Sequence, residues 1–340
     1  MDLTTRYLGL TLRNPLIAGA GPVNAELDNI RRLEDLGAGA VVLPSIFEEQ
    51  VAHEQQVIEQ LIATGIDSYG EALTYFPAQA AYAVNPSGYL DLLRRAVAAV
   101  DIPVIASLNG VTDHGWVDFA RQLQDAGANA IELNVYFIPS DLDLSGHAVE
   151  QRYLDILKAV KKAVTIPVAV KISPYFSAVG HMARQLAHAG ADGLVLFNRF
   201  YQPDIDLARL AMVSDLELST RYEMRLPLLW VGLLFGRIKT SLAASTGVDG
   251  VDEVVKYLLA GADVVMTTSS LLRHGVGHMR ELRDGLERWL EARSLDSLAS
   301  IRGRMSHRNV TEQIAFERAN YIKTLQGYKV ASVGKASVRP

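Results

Sequence analysis

No cysteine occurs anywhere in the 340 residues. Disulfides, thiolate catalysis, zinc–thiolate sites and cysteine-ligated iron–sulfur clusters are excluded with it. Long apolar runs are missing too. The longest, at 226–235, is about half of the roughly 20 residues that a membrane-spanning helix needs. The start, Met1-Asp-Leu-Thr-Thr-Arg, lacks the basic-then-apolar pattern of a secretory signal. A soluble, cytoplasmic protein is the expectation. There is no basic surplus, because the formal net charge is −5, and this argues against nucleic acid as the main partner. His114, His147, His181 and His188 show no metal-ligand spacing, so no metal site is expected. No Ser-His-Asp set can be assembled from the sequence.

What the chain does have is repetition. Four near-copies of one phrase recur: Leu36-Gly-Ala-Gly-Ala-Val-Val-Leu, Ala126-Gly-Ala-Asn-Ala-Ile-Glu-Leu, Ala189-Gly-Ala-Asp-Gly-Leu-Val-Leu and Ala260-Gly-Ala-Asp-Val-Val-Met. Each follows an amphipathic stretch and runs into an apolar one. The glycines Gly37, Gly127, Gly190 and Gly261 stand where a helix ends in a left-handed residue. A second phrase interleaves with the first: Asp101-Ile-Pro-Val-Ile, Thr165-Ile-Pro-Val-Ala and Arg225-Leu-Pro-Leu-Leu. Proline stops a helix and is tolerated at the first position of a strand, so each of the three is expected to launch a strand.

Eight strands result, at 15–21, 40–46, 104–109, 130–137, 168–173, 193–198, 241–245 and 263–268. Helical patterns separate them at 27–36, 90–100, 116–126, 153–164, 179–189 and 251–259, with a last one at 277–292. Alternating strands and helices with buried, β-branched strands predict an α/β fold, a (β/α)8 TIM barrel. A doubly wound open sheet is less favoured, since no Gly-x-Gly-x-x-Gly follows the first strand. With 49% hydrophobic and 21% charged residues the chain can bury one large core. A single barrel domain over 1–300 is expected, with a short N-terminal hairpin around Gly9. A basic C-terminal arm over 301–340 follows, with a helical piece at 316–325 that packs on the barrel or a partner, or is a solvated tail. The connections after strands two, four and six (47–88, 138–150 and 200–225) are enlarged, and the first carries Tyr69, Tyr75, Phe76 and Tyr82. All three follow strand C-termini, the face on which barrels build active sites.

Lys171 is the outstanding single residue. Alternation in Val168-Ala-Val-Lys-Ile-Ser puts Ala169, Lys171 and Ser173 on one face and Val168, Val170 and Ile172 on the other. A lysine inside a barrel strand needs a ligand or a buried carboxylate. Glu132, on strand four, is the structural candidate for that carboxylate. Asn109, Asn134 and Asn198 end strands three, four and six, and with Lys171 they form a ring of polar tips over one mouth. Strands seven and eight end in Ala244-Ser-Thr-Gly-Val and Met266-Thr-Thr-Ser-Ser. Hydroxyls, amides and Gly247 there suit a phosphate, with ordinary helix capping as the other reading.

With these residues placed, the chain resembles the dihydroorotate dehydrogenase family of FMN-dependent barrels. The resemblance is carried by Leu8-Gly-Leu-Thr-Leu-Arg-Asn-Pro-Leu before Ala18-Gly-Ala-Gly, then Glu132-Leu-Asn and Val170-Lys-Ile-Ser-Pro-Tyr-Phe. Ala244-Ser-Thr-Gly-Val, Ala260-Gly-Ala-Asp and Thr267-Thr-Ser-Ser-Leu complete it. It implies FMN across the barrel mouth, with its phosphate at Ser245, Thr246, Gly247, Thr268 and Ser269. Ala20 and Gly21 would pack on the ring, with Ser45, Asn109, Asn134 and Asn198 as polar contacts. Lys171 would stand beside the N1/C2 edge, where a cation favours the reduced ring. The implied reaction is hydride transfer from a small-molecule substrate to flavin N5, dihydroorotate to orotate in the family.

The chain departs from the family on the substrate side. The family's Asn-x-Ser-Cys-Pro-Asn loop reads Asn134-Val-Tyr-Phe-Ile-Pro-Ser-Asp here, so the family's base is missing and Ser140 or Tyr136 would substitute. A substrate-side lysine reads Pro44, and a Gly-Leu-Pro-Asn loop reads Tyr75-Phe-Pro-Ala. The expectation is an FMN-dependent oxidoreductase with catalytic Lys171, Ser140 and Tyr136, oligomeric with itself and open to a redox partner protein, its electron acceptor unnamed by the sequence. The extension that brings quinone-using members to the membrane is absent, so no membrane partner is expected. Two rivals stand beside it. One is a non-redox phosphate-binding lyase or isomerase with Lys171 as base or Schiff-base nucleophile. The other is a non-catalytic flavin-containing subunit.

Overall fold

Eight parallel strands close into a barrel in the computed structural model, which describes residues 1–48, 50, 85–110, 115–199, 203–213, 216–311, 313–316 and 326. In chain order the barrel strands are β3 (Leu16–Ala18), β4 (Ala40–Phe47), β5 (Val104–Asn109), β6 (Ala130–Asn134), β7 (Val168–Ile172), β8 (Gly193–Leu196), β11 (Ser241–Ala244) and β12 (Val264–Thr267). Each pairs in parallel with the next, and β12 returns to β3. Seven fall inside the segments expected from the sequence, and β4 runs one residue past its own, to Phe47. Strand periodicity explains why: Val168, Val170 and Ile172 belong to the layer between strands and helices, whereas Ala169 belongs to the barrel lumen. The four repeat glycines Gly37, Gly127, Gly190 and Gly261 all have left-handed φ, from 96° to 124°, as a helix-ending residue requires.

The short N-terminal hairpin pairs β1 (Thr5–Tyr7) with β2 (Leu10–Leu12). Leu8 at φ 54° and Gly9 at φ 77° make its two-residue turn, the form that matches strand twist. The hairpin plugs the N-terminal end of the barrel. Tyr7, Leu8 and Leu12 are buried in the lumen cluster, and a Cβ on Gly193 would stand 2.4 Å from Leu8 Cδ2.

One expected strand launch is corrected. Arg225-Leu-Pro-Leu-Leu opens a helix, Arg225–Leu234, and not a strand. Pro227 falls in its first turn, where a missing N–H costs nothing. The run behind it is apolar almost throughout, so its period cannot separate a buried helix from a buried strand. Two other helices begin earlier than expected. Asn85 accepts from Gly88 N at 2.8 Å and caps the helix Pro86–Ala99. Ser145 accepts from Ala148 N at 3.2 Å and caps Gly146–Ala163. The enlarged connection after β6 is thereby confined to residues 135–145. The connection after β8 holds an antiparallel hairpin, β9 (Asp204–Asp206) with β10 (Ala211–Val213).

After the His278–Glu291 helix the chain turns back along the barrel. Ile301 is buried, and Arg302 pairs with Asp263. Met305 N donates to Leu259 O at 2.7 Å, and His307 N to Gly232 O at 2.9 Å. The Phe316 ring covers Gly232, where a Cβ would come within 2.6 Å of it. The expected helical piece beyond Phe316, the aromatics Tyr69, Tyr75, Phe76 and Tyr82, and His114 lie outside the described residues. Among the described residues no helix is long and apolar enough to cross a membrane.

Candidate functional site

The C-terminal ends of the strands surround a cavity of about 260 Å³. Nine of the expected site residues line it. Ala20 and Gly21 follow β3, Lys171 comes from β7 and Asn198 follows β8. Ser245, Thr246 and Gly247 follow β11, and Thr268 and Ser269 follow β12. A Cβ on Gly21 would stand 2.4 Å from Thr268 Cγ2, so the β3 and β12 tips meet only because residue 21 is glycine. Asn24 secures that corner, its Nδ2 donating to Gly19 O at 3.0 Å and Val42 O at 2.8 Å.

Three more expected residues extend the polar rim outside the cavity lining. Asn134 Oδ1 accepts from Asn198 Nδ2 at 2.6 Å, which joins the tips of β6 and β8 across β7. Asn109 is buried at the end of β5, level with Asn134. Ser45 Oγ lies 2.7 Å from Ser107 Oγ, and a register shift between Val42 and Ser45, around Pro44, turns it inward. Tyr136 is half-buried and Ser140 is exposed. Both lie on the segment after β6, and neither lines the cavity.

The phosphate-like end has unusual backbone. Thr246 sits at φ 79° and Gly247 at φ 73°, the first uncommon for a residue with a Cβ. Tyr257 Oη donates to Thr246 O at 2.7 Å, and Thr246 Oγ1 donates to Phe197 O at 3.1 Å. Tyr89 and Tyr153 brace two other strand ends in the same way, donating to Ser107 O at 3.2 Å and Val135 O at 3.0 Å. Burial pushes the Tyr153 phenol up to about 12 and those of Tyr89 and Tyr257 further above the usual value. All three stay neutral donors at physiological pH.

At the inner end Lys171 Nζ stands 3.5 Å from Glu132 Oε1, so the carboxylate expected for the buried lysine is Glu132. Glu132 Oε2 and Tyr7 Oη are buried with no hydrogen-bond partner among the described residues. Burial, together with the Glu132 and Asp263 carboxylates, holds the Tyr7 phenol well above its usual value.

The sequence reading missed the wall contributed by residues 216–219. Ser219 Oγ lies 2.9 Å from Ser269 Oγ and accepts from Gly247 N at 3.3 Å. Arg273 donates to Ser219 O at 3.1 Å and pairs with Asp249 at 2.5 Å. Arg199, also lining the cavity, pairs with Glu223 at 2.8 Å and donates to Glu217 O. The one signal for this segment was the pattern Thr220-Arg-Tyr-Glu, a capping box, in which Thr220 N donates to Glu223 Oε2 at 2.6 Å. Among the described residues no group of three or more His, Cys, Asp or Glu is placed to hold a metal ion. Hydroxyls and amides at one end, and an ammonium with paired carboxamides at the other, suit an elongated ligand bearing a phosphate and a polar ring.

The sequence model of the dihydroorotate dehydrogenase family matches residues 2–290. The chain is 26% identical over 326 residues to dihydroorotate dehydrogenase B (NAD(+)), catalytic subunit, of Pyrococcus abyssi, covering 88% of this chain and 98% of that protein. It is 25% identical over 309 residues to the protein of the same name from Endomicrobium trichonymphae, covering 89% and 96%. Over 338 residues it is 23% identical to the NAD-dependent dihydropyrimidine dehydrogenase subunit PreA of Escherichia coli, covering 94% and 80%.

Proposed function

The chain belongs to the dihydroorotate dehydrogenase family, and from that premise we propose that it is an FMN-dependent oxidoreductase acting on a CH–CH bond of a small ring substrate. The observation that carries the reading is the convergence of Lys171, Asn198, the 245–247 loop and the Thr268–Ser269 pair on one cavity. Ser245, Thr246, Gly247, Thr268 and Ser269 would hold the phosphate. Ala20 and Gly21 would lie against the ring, with Ser45, Asn109, Asn134 and Asn198 at its polar edges. When bound, the flavin supplies the hydride acceptor. Lys171 stands at the inner wall, and the Asn134–Asn198 hydrogen bond holds two carboxamides at the rim. Tyr136 or Ser140 would take the proton that leaves the substrate with the hydride.

Dihydroorotate is the first substrate to try, with dihydropyrimidines second, following the names of the relatives. The test is an absorbance spectrum of the purified protein with and without added FMN, then anaerobic dihydroorotate. Flavin bands that dihydroorotate bleaches support the family reaction. Bands that only a dihydropyrimidine bleaches keep the oxidoreductase and change the substrate. A protein that takes up no FMN overturns the reading and leaves a non-redox lyase or isomerase, testable by borohydride trapping at Lys171.

A partner is part of the reading, since the relatives above are named as subunits. Large apolar side chains stand exposed on the loops around the mouth, among them Ile138, Leu142, Leu207, Leu210 and Leu216. Exposed apolar groups gathered on one face favour a docking surface, for a redox partner protein or a second copy of the chain. Co-purification and the oligomeric state test it. A bound flavin that no small donor reduces, together with a captured partner, would make the chain a non-catalytic subunit.

A further inference from the structure

Beneath the cavity stands a carboxylate that the proposed reaction does not use. Glu132 projects into the lumen from β6, where Asn134, two residues on, is the register partner of Lys171 on β7. Glu132 therefore lies one layer below the lysine. Elsewhere among the described residues the shielded or partly shielded acids hold donors at ordinary hydrogen-bond distance. Asp192, though about a third exposed, accepts on Oδ2 from Lys161 at 2.6 Å and from Val168 N at 2.8 Å. Asp263 accepts from Leu242 N at 2.7 Å and from Arg302, and Glu253 accepts from Gly250 N at 2.9 Å. Glu132 is more buried than any of them, at 1% exposure, yet it has Lys171 at 3.5 Å and one oxygen with no partner among the described residues. A buried carboxylate kept for stability alone would be expected to carry its full set of donors.

The loose contact leaves Lys171 divided between two places. Its nitrogen reaches Glu132 from above, while the same side chain lines the cavity. We infer that Glu132 is a positioning residue that sets how much of the Lys171 charge is offered to the group in the cavity, and so sets how easily that group accepts electrons. The inference rests on the flavin reading above. With Glu132 opposite it, the ammonium is partly compensated. Without that carboxylate its full charge acts on the ligand, in a lumen where charges interact strongly because water is excluded.

The experiment is the midpoint potential of the FMN-loaded protein, read by spectral titration against a reference dye. Glu132→Gln keeps the size of the side chain and removes its charge. The expected result is a shift of the reduction equilibrium toward the reduced flavin by about tenfold, or about 30 mV more positive for a two-electron couple. The same substitution is then made in a Lys171→Gln background. In that background Glu132 has no ammonium to compensate, so the second shift is expected to be far smaller. If Glu132→Gln does not fold, the apolar Glu132→Met carries the same measurement. A wild-type potential in the charge-removed variant overturns the inference. An equal shift in both backgrounds also overturns it, because Glu132 then acts without Lys171. Failure of the wild-type protein to take up FMN is a different result, seen before any variant is made, and it removes the flavin reading on which the inference stands.

Discussion

Tyr257 reaches from the helix Val251–Ala260 to the carbonyl of Thr246, at 2.7 Å, and so clamps a residue held at φ 79°. Backbone in that region costs on the order of 1–3 kcal/mol and persists only where its surroundings hold it. Here the hold is doubled by the Thr246 hydroxyl on Phe197 O. The loop that presents Ser245, Thr246 and Gly247 is thus fixed from the helix layer outside the barrel. Tyr257→Phe is expected to cost about 1 kcal/mol of stability and to weaken FMN binding several-fold. Denaturant unfolding and a flavin fluorescence titration measure the two effects. Unchanged FMN affinity would detach the clamp from the cofactor site.

The buried tyrosines also predict an alkaline limit. Tyr7, Tyr89, Tyr153 and Tyr257 all have raised phenol values in the fold, against about 10 in an unfolded chain. Above that value the unfolded chain releases protons that the folded one retains, so stability falls as pH rises. Their contribution is complete below about pH 10 and is lost progressively toward and beyond the Tyr153 value of about 12. Unfolding free energies between pH 8 and 11 are expected to be flat and then to drop. In Tyr89→Phe and Tyr153→Phe the drop is expected to be shallower. An identical drop in both variants would assign the alkaline loss to other groups.

Lys171 carries the clearest kinetic prediction. Lys171→Ala removes the one lysine among the described residues that line the cavity and is expected to slow flavin reduction on the order of a hundredfold, the usual cost of one preorganised electrostatic contact. It also strands Glu132, so Lys171→Ala/Glu132→Gln is expected to be the more stable of the two proteins. Stopped-flow reduction and thermal melting separate the effects. Unchanged reduction kinetics in a folded, flavin-loaded Lys171→Ala would end the catalytic role of the residue.

Much of this site was legible because barrel strands alternate. Lys171, Glu132 and Asn134 announced themselves as polar residues at lumen-facing positions of apolar strands, and positional arithmetic alone brought them together. Gly247 and the paired hydroxyls were legible because they end the last two strands. The Arg225–Leu234 helix was not, since Arg225-Leu-Pro-Leu-Leu keeps the proline spacing of the true strand launches at 101 and 165 and differs in carrying leucine where they carry β-branched Ile and Val. Ser219 and Arg199 were not either. Their place in the wall depends on the segment 216–224 folding back onto the loops after β11 and β12, a long-range contact made by Arg273 and Ser269 that no period encodes. Helix starts were misplaced by four to seven residues where Asn85 and Ser145 cap them ahead of the apolar pattern.

The proton acceptor can be assigned by paired variants. Tyr136 follows Asn134 by two residues and is half-buried, whereas Ser140 faces solvent. Loss of a general base costs typically 10²–10⁴-fold, roughly. Tyr136→Phe is expected to show the larger loss of flavin reduction by the substrate, with FMN affinity unchanged. A larger loss in Ser140→Ala would assign the role to Ser140, and near-normal rates in both would send the search to another residue.

Ser219 offers the last test, because it joins three parts of the wall. Its hydroxyl meets Ser269 Oγ at 2.9 Å and Gly247 N at 3.3 Å, while Arg273 holds its carbonyl at 3.1 Å. Two of those partners belong to the loops proposed to hold the phosphate. Ser219→Ala removes the hydroxyl bridge but leaves the Arg273 contact and the Ser219 N–H bond to Ser269 Oγ at 3.2 Å, so the segment stays in place and the hydroxyl's link to Gly247 is lost. Faster FMN release is expected, by several-fold, with a melting temperature close to wild type. Arg273→Ala removes the other anchor together with the arginine partner of Asp249, and it is expected to raise the release rate further. The order matters: if the bridge orients the loops, Ser219→Ala alone must change release. A rate that moves only in Arg273→Ala would mean that the segment shields the cavity without organising it.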